Sequence, residues 1–373
     1  MPPRYTRLVD SLPATVPFVG PETMERDRGA PFDARLGANE NVFGPSPKAL
    51  EAMRAADAEI WKYGDSTSHD LRHALAAHHG VAATNIVVGE GIDGLLGYLV
   101  RLVVEPGDTV VTSAGAYPTF NYHVAGYGGV LTSLPFRDDR EDLPALIARA
   151  TETGAKLVYL ANPDNPMGTC WSGAEIAAAL DGLGHGCLLV LDEAYAEFAP
   201  DGCAVGLPVE DERLIRMRTF SKAYGMAGAR VGYAIGAEPL IRSFEKIRNH
   251  FGMNRSAQAA ALAALADQAY LADVVAQVIG SRAEIARIAG ACGLPVIPSA
   301  TNFVTVDCGG NGDLARAMVG TLGARGIFVR MPFVAPQDRC IRVSCGTAAD
   351  MAALEAAFAG ALAEARDKVG ATV

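Results

Sequence analysis

Between residues 188 and 235 the chain interleaves two apolar runs and one mixed strand candidate with an acid, a lysine and an arginine, and no other stretch limits its fold so tightly. Leu188–Leu191 ends on Asp192, Leu214–Phe220 ends on Ser221-Lys222, and Arg230, eight residues past the lysine, precedes Val231–Ile235. Short apolar runs bounded by polar residues read as strands buried on both faces. An open α/β sheet binds its ligands at the carboxyl ends of such strands, which is where the acid, the lysine and the arginine fall. Packing accounts for any one of them, as a buried acid beside a base or a lysine in solvent. All three in this order, with Tyr195 close by, ask for a shared chemical reason.

Pyridoxal phosphate chemistry supplies one. That cofactor takes a lysine for a Schiff base, an acid to keep its pyridine nitrogen protonated, and cations and amides for its phosphate. Lys222 is the candidate amine, Asp192 the candidate acid, and Thr219, Ser221 and Arg230 the candidate phosphate anchors. Upstream, Ile86–Val88 reads as a strand that turns through glycine into an apolar helix stopped by Pro106-Gly107. Free amides at a helix amino terminus bind anions, so Gly91 and Ile92 are assigned to the same phosphate. Gly89, Gly91 and Gly94 also match G-x-G-x-x-G, the dinucleotide fingerprint. The fingerprint wants an acid at the end of the next strand. Thr109–Thr112 runs instead into Ser113-Ala114-Gly115, which disfavours a nicotinamide-dependent dehydrogenase.

Other candidates sit at the same predicted edge. Tyr117 lies just past a strand end, where an aromatic face suits stacking on a pyridine ring; a core or interface tyrosine is the alternative. Lys156–Ala161 reads as a strand ending in the rigid turn Asn-Pro-Asp-Asn-Pro-Met-Gly. Asn165 then projects an amide that, with Tyr195, would hold a phenolic ring oxygen ionised. Arg342 falls inside the apolar strand Ile341–Val343 and must find an anion or reach solvent; its planar fork suits a carboxylate. Arg330 ends Gly326–Arg330 and reads either as a second anion site or as a surface ion pair. His123 reads as structural, and the pair His78-His79 as a solvated helix end.

The motifs DEAYAEF (from Asp192), RTFSKAYGMAGARVGY (from Arg218) and ANPDNPMGT (from Ala161) resemble fold-type I aminotransferases, most of all the histidinol-phosphate aminotransferase-like branch. The likeness runs from LGANENVFGPSP at Leu36–Pro47 to IRVSCGT at Ile341–Thr347. It implies an α/β fold of the type I pyridoxal-phosphate transferases: a large domain with a mostly parallel central sheet flanked by helices, plus a smaller α+β domain. It further implies that Asn39 borders the substrate pocket, that Arg342 clamps the substrate α-carboxylate, and that Tyr63 reaches the cofactor phosphate of a second subunit in a homodimer. Val42 stands where these relatives usually carry proline, and Asp93-Gly94 where they often carry two acids. The implied reaction moves an amino group from a donor (histidinol phosphate, an aromatic or a related amino acid) to a 2-oxo acid such as 2-oxoglutarate, with Lys222, Asp192 and Tyr195 catalytic. A decarboxylase or lyase with the same cofactor and fold is the alternative.

Composition sets the outer bounds. At 373 residues, half of them hydrophobic, the chain exceeds one ordinary core. The expected division is 1–48 as an arm and part of the small domain, 49–265 as the cofactor-binding domain, and 266–373 as the small domain. Leu271 through Ile285 carries helical spacing and is expected to link the two. Pro295–Asp307 and Gly326–Arg330 read as strands of the smaller domain, Met351–Arg366 as its closing helix, and residues 1–35 as a patternless arm. A net charge of −10 argues against a nucleic-acid partner. Seven scattered cysteines with no C-x-x-C favour a reducing compartment and no zinc site. The amino terminus has no apolar core of a signal peptide and no run reaches membrane-spanning length, so a soluble cytoplasmic protein without membrane partner is expected.

Overall fold

The computed structural model describes residues 4–14, 19–203 and 206–370. Counting from β1 (Ala34–Arg35), the strands of the main sheet are β2 (Ile86–Gly89), β3 (Thr109–Ser113), β4 (Val130–Leu134), β5 (Leu157–Ala161), β6 (Leu188–Asp192), β7 (Leu214–Thr219) and β8 (Gly232–Gly236). Their spatial order is β2-β8-β7-β6-β5-β3-β4. Every pairing is parallel except the two that β8 makes, with β2 and with β7.

The period of two in a strand divides β5 and β6 between two cores. Leu157, Tyr159, Leu188 and Val190 pack with the helix Gly91–Val103 on one face. Val158, Leu160, Leu189 and Leu191 pack with the helices Leu143–Thr153 and Gly173–Leu180 on the other. This is the mostly parallel sheet flanked by helices that the family resemblance implies. Both outer helices start on side-chain caps: Asp142 accepts from the Ala145 amide at 3.2 Å, and Ser172 forms a capping box with Glu175.

The helices Arg255–Ala266 and Gln268–Ala291 meet at 79° on either side of Asp267. The first packs on the helix Pro47–Asp57, and Asp267 accepts hydrogen bonds from Ser46 Oγ (2.5 Å) and Lys48 Nζ (2.8 Å) at that helix's start. The second sends Val274, Val278, Ile285 and Ile288 into the core of the remaining chain. Here β9 (Val296–Ile297), β10 (Phe303–Asp307) and, after the pair-forming β11 (Ile327–Phe328), β12 (Cys340–Ser344) form an antiparallel sheet in the order β12-β10-β9. The helix Ala348–Gly370 closes it. Among the described residues no single helix is long and apolar enough to cross a membrane.

Three local expectations need correction. Pro295–Asp307 is a hairpin rather than one strand, because the Ser299 hydroxyl takes the Thr301 amide (3.1 Å) and donates to the Phe303 carbonyl (2.5 Å), turning the chain. Gly326–Arg330 is regular only at β11, with Arg330 in an isolated bridge to Arg342. The segment 1–35 is not patternless. Its residues 1–3 and 15–18 lie outside the described residues, but Arg7–Ser11 and Pro21–Arg28 are helical and β1 pairs in parallel with β11. Leu36 then bridges both sheets of the smaller region: its amide donates to the Phe328 carbonyl at 2.8 Å, and its carbonyl accepts from the Ser344 amide at 2.7 Å.

Candidate active site

Six strands present residues to one edge of the main sheet. The chain leaves β3 toward Tyr117, β5 toward Asn165, β6 at Asp192, β7 toward Lys222 and β2 toward Gly91, while antiparallel β8 begins there, just after Arg230. A cavity of about 410 Å³ opens above this edge. It is lined by Asn39, Ile92, Tyr117, Asn165, Asp192, Tyr195, Thr219, Ser221, Lys222, Arg230, Arg330 and Arg342. Gly91 is not among the lining residues but abuts Arg230, which is.

Asp192 is 5% exposed at the last position of β6. Its Oδ2 accepts from the Tyr159 hydroxyl at 2.6 Å and its Oδ1 from the Ala194 amide at 3.0 Å. Burial pushes its carboxyl up to about 6, and those two hydrogen bonds with the nearby Lys222 oppose the rise. Lys222 opens on the cavity, donates from Nζ to the Asn39 carbonyl at 3.1 Å and lies 5.6 Å from the Tyr195 ring centroid. Protein packed around the amine lowers it to about 8, with Arg342 adding repulsion. An amine so lowered is far more often neutral, and so nucleophilic, near pH 7 than an exposed lysine. Tyr195 keeps its phenolic proton, because burial pushes the group up to about 12. Burial raises Tyr117 to about 12 as well.

One end of the cavity is an anion cup. Thr219 Oγ1 accepts from the Ser221 amide at 3.0 Å and donates to Ser221 Oγ at 2.9 Å, and Arg230 Nη1 reaches Ser221 Oγ at 3.4 Å. The helix Gly91–Val103 points its free amino-terminal amides at the same place. Arg230 holds a left-handed φ of 56°, an uncommon conformation for a side-chain-bearing residue. Glycine makes the room: a Cβ on Gly91 would sit 2.6 Å from Arg230 Nη2, and one on Gly232 would sit 2.6 Å from the Gly91 carbonyl carbon.

The other end belongs to the smaller region. The Arg342 guanidinium donates to Asn165 Oδ1 and to the Gly37 carbonyl (3.3 Å), and lies over the Phe303 ring. Burial lowers Arg342 to about 10. Among the described residues no carboxylate pairs with it, and its Nε has no hydrogen-bond partner. A guanidinium buried at that cost is a receptor for an anion. Arg330 also lines the cavity, with Nη2 donating to the Val19 carbonyl at 2.6 Å.

The remaining candidates find these partners. Asn165 Oδ1 accepts from Arg342, which leaves its Nδ2 donor for a ligand, and the Tyr195 hydroxyl accepts from the Asn39 side-chain amide at 3.0 Å. Asn39 itself holds a positive φ of 54° and is anchored by the Ser344 hydroxyl. Tyr63 is 80% exposed, packed on Phe251 and away from its own chain's cavity. His79 is not a solvated end, since its ring bonds the Tyr233 hydroxyl at 2.9 Å and burial lowers it to about 3. His123 pairs with Asp93 at 3.3 Å. Sequence reasoning missed Tyr159, the partner of Asp192, although a lone phenol in the aliphatic strand Leu-Val-Tyr-Leu-Ala needs a hydrogen-bond acceptor. It also missed Gly20 and Pro21, which roof the cavity, and Glu141. That buried acid accepts from Ser113 Oγ (2.6 Å) and the Ala161 amide (3.0 Å), tying the ends of β3 and β5.

Residues 34–358 match the family model of aminotransferases of class I and II. A histidinol-phosphate aminotransferase of Anaeromyxobacter sp. (strain Fw109-5) is 40% identical over 80% of this chain and 83% of its own. A second, from Carboxydothermus hydrogenoformans, is 34% identical over 91% of this chain and 94% of its own. The crystal structure of histidinol-phosphate aminotransferase from Sinorhizobium meliloti in complex with pyridoxal-5′-phosphate superposes with a TM-score of 0.93 at 53% identity, covering 96% of this chain and 98% of that one. The acid, lysine and arginine at one sheet edge therefore have a family to match, and the chain belongs to the class I and II aminotransferases.

Proposed function

We propose that this aminotransferase carries pyridoxal 5′-phosphate in the cavity and exchanges an amino group between histidinol phosphate and a 2-oxo acid such as 2-oxoglutarate. The observation that carries the reading is the placement of Lys222, whose lowered amine faces the cavity between the anion cup and Asp192 on one side and Arg342 on the other. The residues fit the cofactor. The missing side chains at Gly91 and Gly232 let the Arg230 guanidinium and the start of the helix Gly91–Val103 close in beside Thr219 and Ser221, a donor set suited to a phosphate. When bound, pyridoxal phosphate supplies a ring that withdraws the electron pair left on a substrate carbon.

The chain's own residues do the rest. Asp192 offers a carboxylate to the ring nitrogen and keeps it charged. Lys222 in its neutral form would accept the proton from the donor's carbon and hand it, on the same side, to the cofactor carbon. Tyr117 would cover a ring face, and Asn165 and Tyr195 would offer hydrogen bonds to its oxygen. Arg342 takes the anion that differs between the two partners: a carboxylate of the oxo acid, or the phosphate of histidinol phosphate, with Arg330 as a second cation. The names of the relatives and this pair of arginines favour histidinol phosphate over a neutral or aromatic donor.

We also infer a homodimer. Ile60, Trp61, Tyr63 and Phe251 are each more than half exposed, an apolar surface that a second subunit would cover while Tyr63 reached its phosphate. A cytoplasmic location is supported by seven cysteines that are all free thiols. The test is the absorbance of the purified holoprotein before and after single donors. Bleaching of the visible band by histidinol phosphate, with the keto product recovered, supports the reading. Bleaching by aromatic amino acids alone overturns the donor, and release of carbon dioxide in place of a keto acid overturns the transfer.

A further inference from the structure

Tyr159 is the one polar residue in β5, and its side chain is fully buried. The sheet register sets Ala161 opposite Asp192, so Tyr159, two residues earlier on the same face, is the acid's diagonal neighbour. Its ring is stacked on Phe120, with centroids 4.6 Å apart and planes 16° from parallel. That stack leaves the hydroxyl little freedom, and it meets Asp192 Oδ2 at 2.6 Å, a length typical of a donor held against a charged oxygen.

Other groups face Asp192: Lys222 from the loop after β7, Glu193 beside it, and Glu141, Tyr117 and Tyr195 around the same edge. Among the described residues, Tyr159 alone gives the acid a side-chain hydrogen bond. Because Oδ2 is occupied by the phenol and Oδ1 by the Ala194 amide, both oxygens are fixed in direction and both bonds favour the charged carboxylate.

We propose that Tyr159 is a positioning residue that keeps Asp192 ionised and aimed at the cofactor ring, so that the ring nitrogen, and not the acid, holds the shared proton. The inference rests on the cofactor reading given above. Without the phenol, the carboxyl gains proton affinity and the ring nitrogen loses its proton for part of the time. The ring then withdraws electrons less strongly, and the proton bound at the lysine nitrogen is held more tightly.

Tyr159→Phe keeps the ring, the stack and the burial while removing only the hydroxyl. In the holoenzyme we expect kcat to fall about tenfold with KM within about twofold. The pH midpoint of the cofactor's visible band should rise by about one unit, the change in proton affinity that a hydrogen bond to a charged group accounts for. The same substitution in an Asp192→Asn background should leave that midpoint where Asp192→Asn alone puts it. An unchanged midpoint in Tyr159→Phe, or an equal shift with and without the Asp192 carboxylate, overturns the proposal. Phe120→Leu, which loosens the stack and spares the hydroxyl, should move the midpoint by less than half as much; an equal shift makes Tyr159 mere packing. A wild-type protein that acquires no visible band with added pyridoxal phosphate overturns the cofactor reading itself, an outcome distinct from all of these.

Discussion

The cavity has a floor and a roof, and they are built in opposite ways. The floor (Asp192, Thr219, Ser221, Lys222, Arg230) comes from one short stretch of chain, set by strands that pair in register with one another. The roof joins Gly20, Pro21 and Asn39 from one end of the chain to Arg330 and Arg342 from the other, and the two groups meet through single strands and one-off hydrogen bonds. The floor fixes a chemistry that every reaction of this type requires. The roof meets whatever the substrate brings. Such a division lets one family keep its reaction while its members change substrates.

Four substitutions can break or sharpen that contrast. Lys222→Ala removes the amine and should cost turnover on the order of 10⁴- to 10⁶-fold, as loss of a nucleophile does, while circular dichroism stays that of the wild type. A mutant with ordinary turnover would sink the assignment of the floor. Arg342→Ala should lower kcat/KM by about 2–5 kcal/mol in barrier, the cost of truncating one side of a buried charge pair. It should leave the cofactor's absorbance and retention unchanged, and a loss of cofactor would show that floor and roof are not separable. Arg230→Ala should do the reverse, weakening cofactor affinity by about 1.5–3 kcal/mol, the worth of hydrogen bonds to a charged group, as read by equilibrium dialysis.

The last effect, read on stability rather than on turnover or cofactor affinity, concerns Glu141, which ties the ends of β3 and β5. Burial, with repulsion from Asp164, raises its carboxyl from 4.5 to about 8. The folded protein keeps this proton while the unfolded chain gives it up above pH 4.5, so the group's contribution is full below that pH, declines as pH rises and is gone above about 8. Denaturant titrations from pH 5 to 8 should therefore show stability falling with pH. Glu141→Gln should flatten that fall by up to about 1.4 kcal/mol per pH unit. An unaltered slope would mean the acid is already ionised in the fold.

The same contrast governs what could be read from the chain. Apolar runs beside a charged residue mark β6 and β8 almost to the residue, because a strand buried on both faces has few other spellings. The helix Gln268–Ala291 is legible from its periodicity for a like reason. Nothing local marks β1 as the partner of β11, since two residues at position 34 carry no signal of a pairing near 327. Asn39 entered only through family likeness, and its anchoring by Ser344 has no trace in sequence spacing. Tyr159 was readable in principle from the polarity of one side chain. Glu141 was not, because a loop acid is ordinarily solvated and only the folded edge buries this one.

The interlock of Gly91, Arg230 and Gly232 has a historical consequence. Gly91 holds a φ of 83°, where a side chain is strained and its Cβ would press on the Arg230 guanidinium, and a Cβ on Gly232 would strike the Gly91 backbone. A lineage exploring one substitution at a time meets a loss at every first step. Descendants of such a chain are free to try new guests by redrawing the roof, but they inherit the phosphate seat whole or lose it.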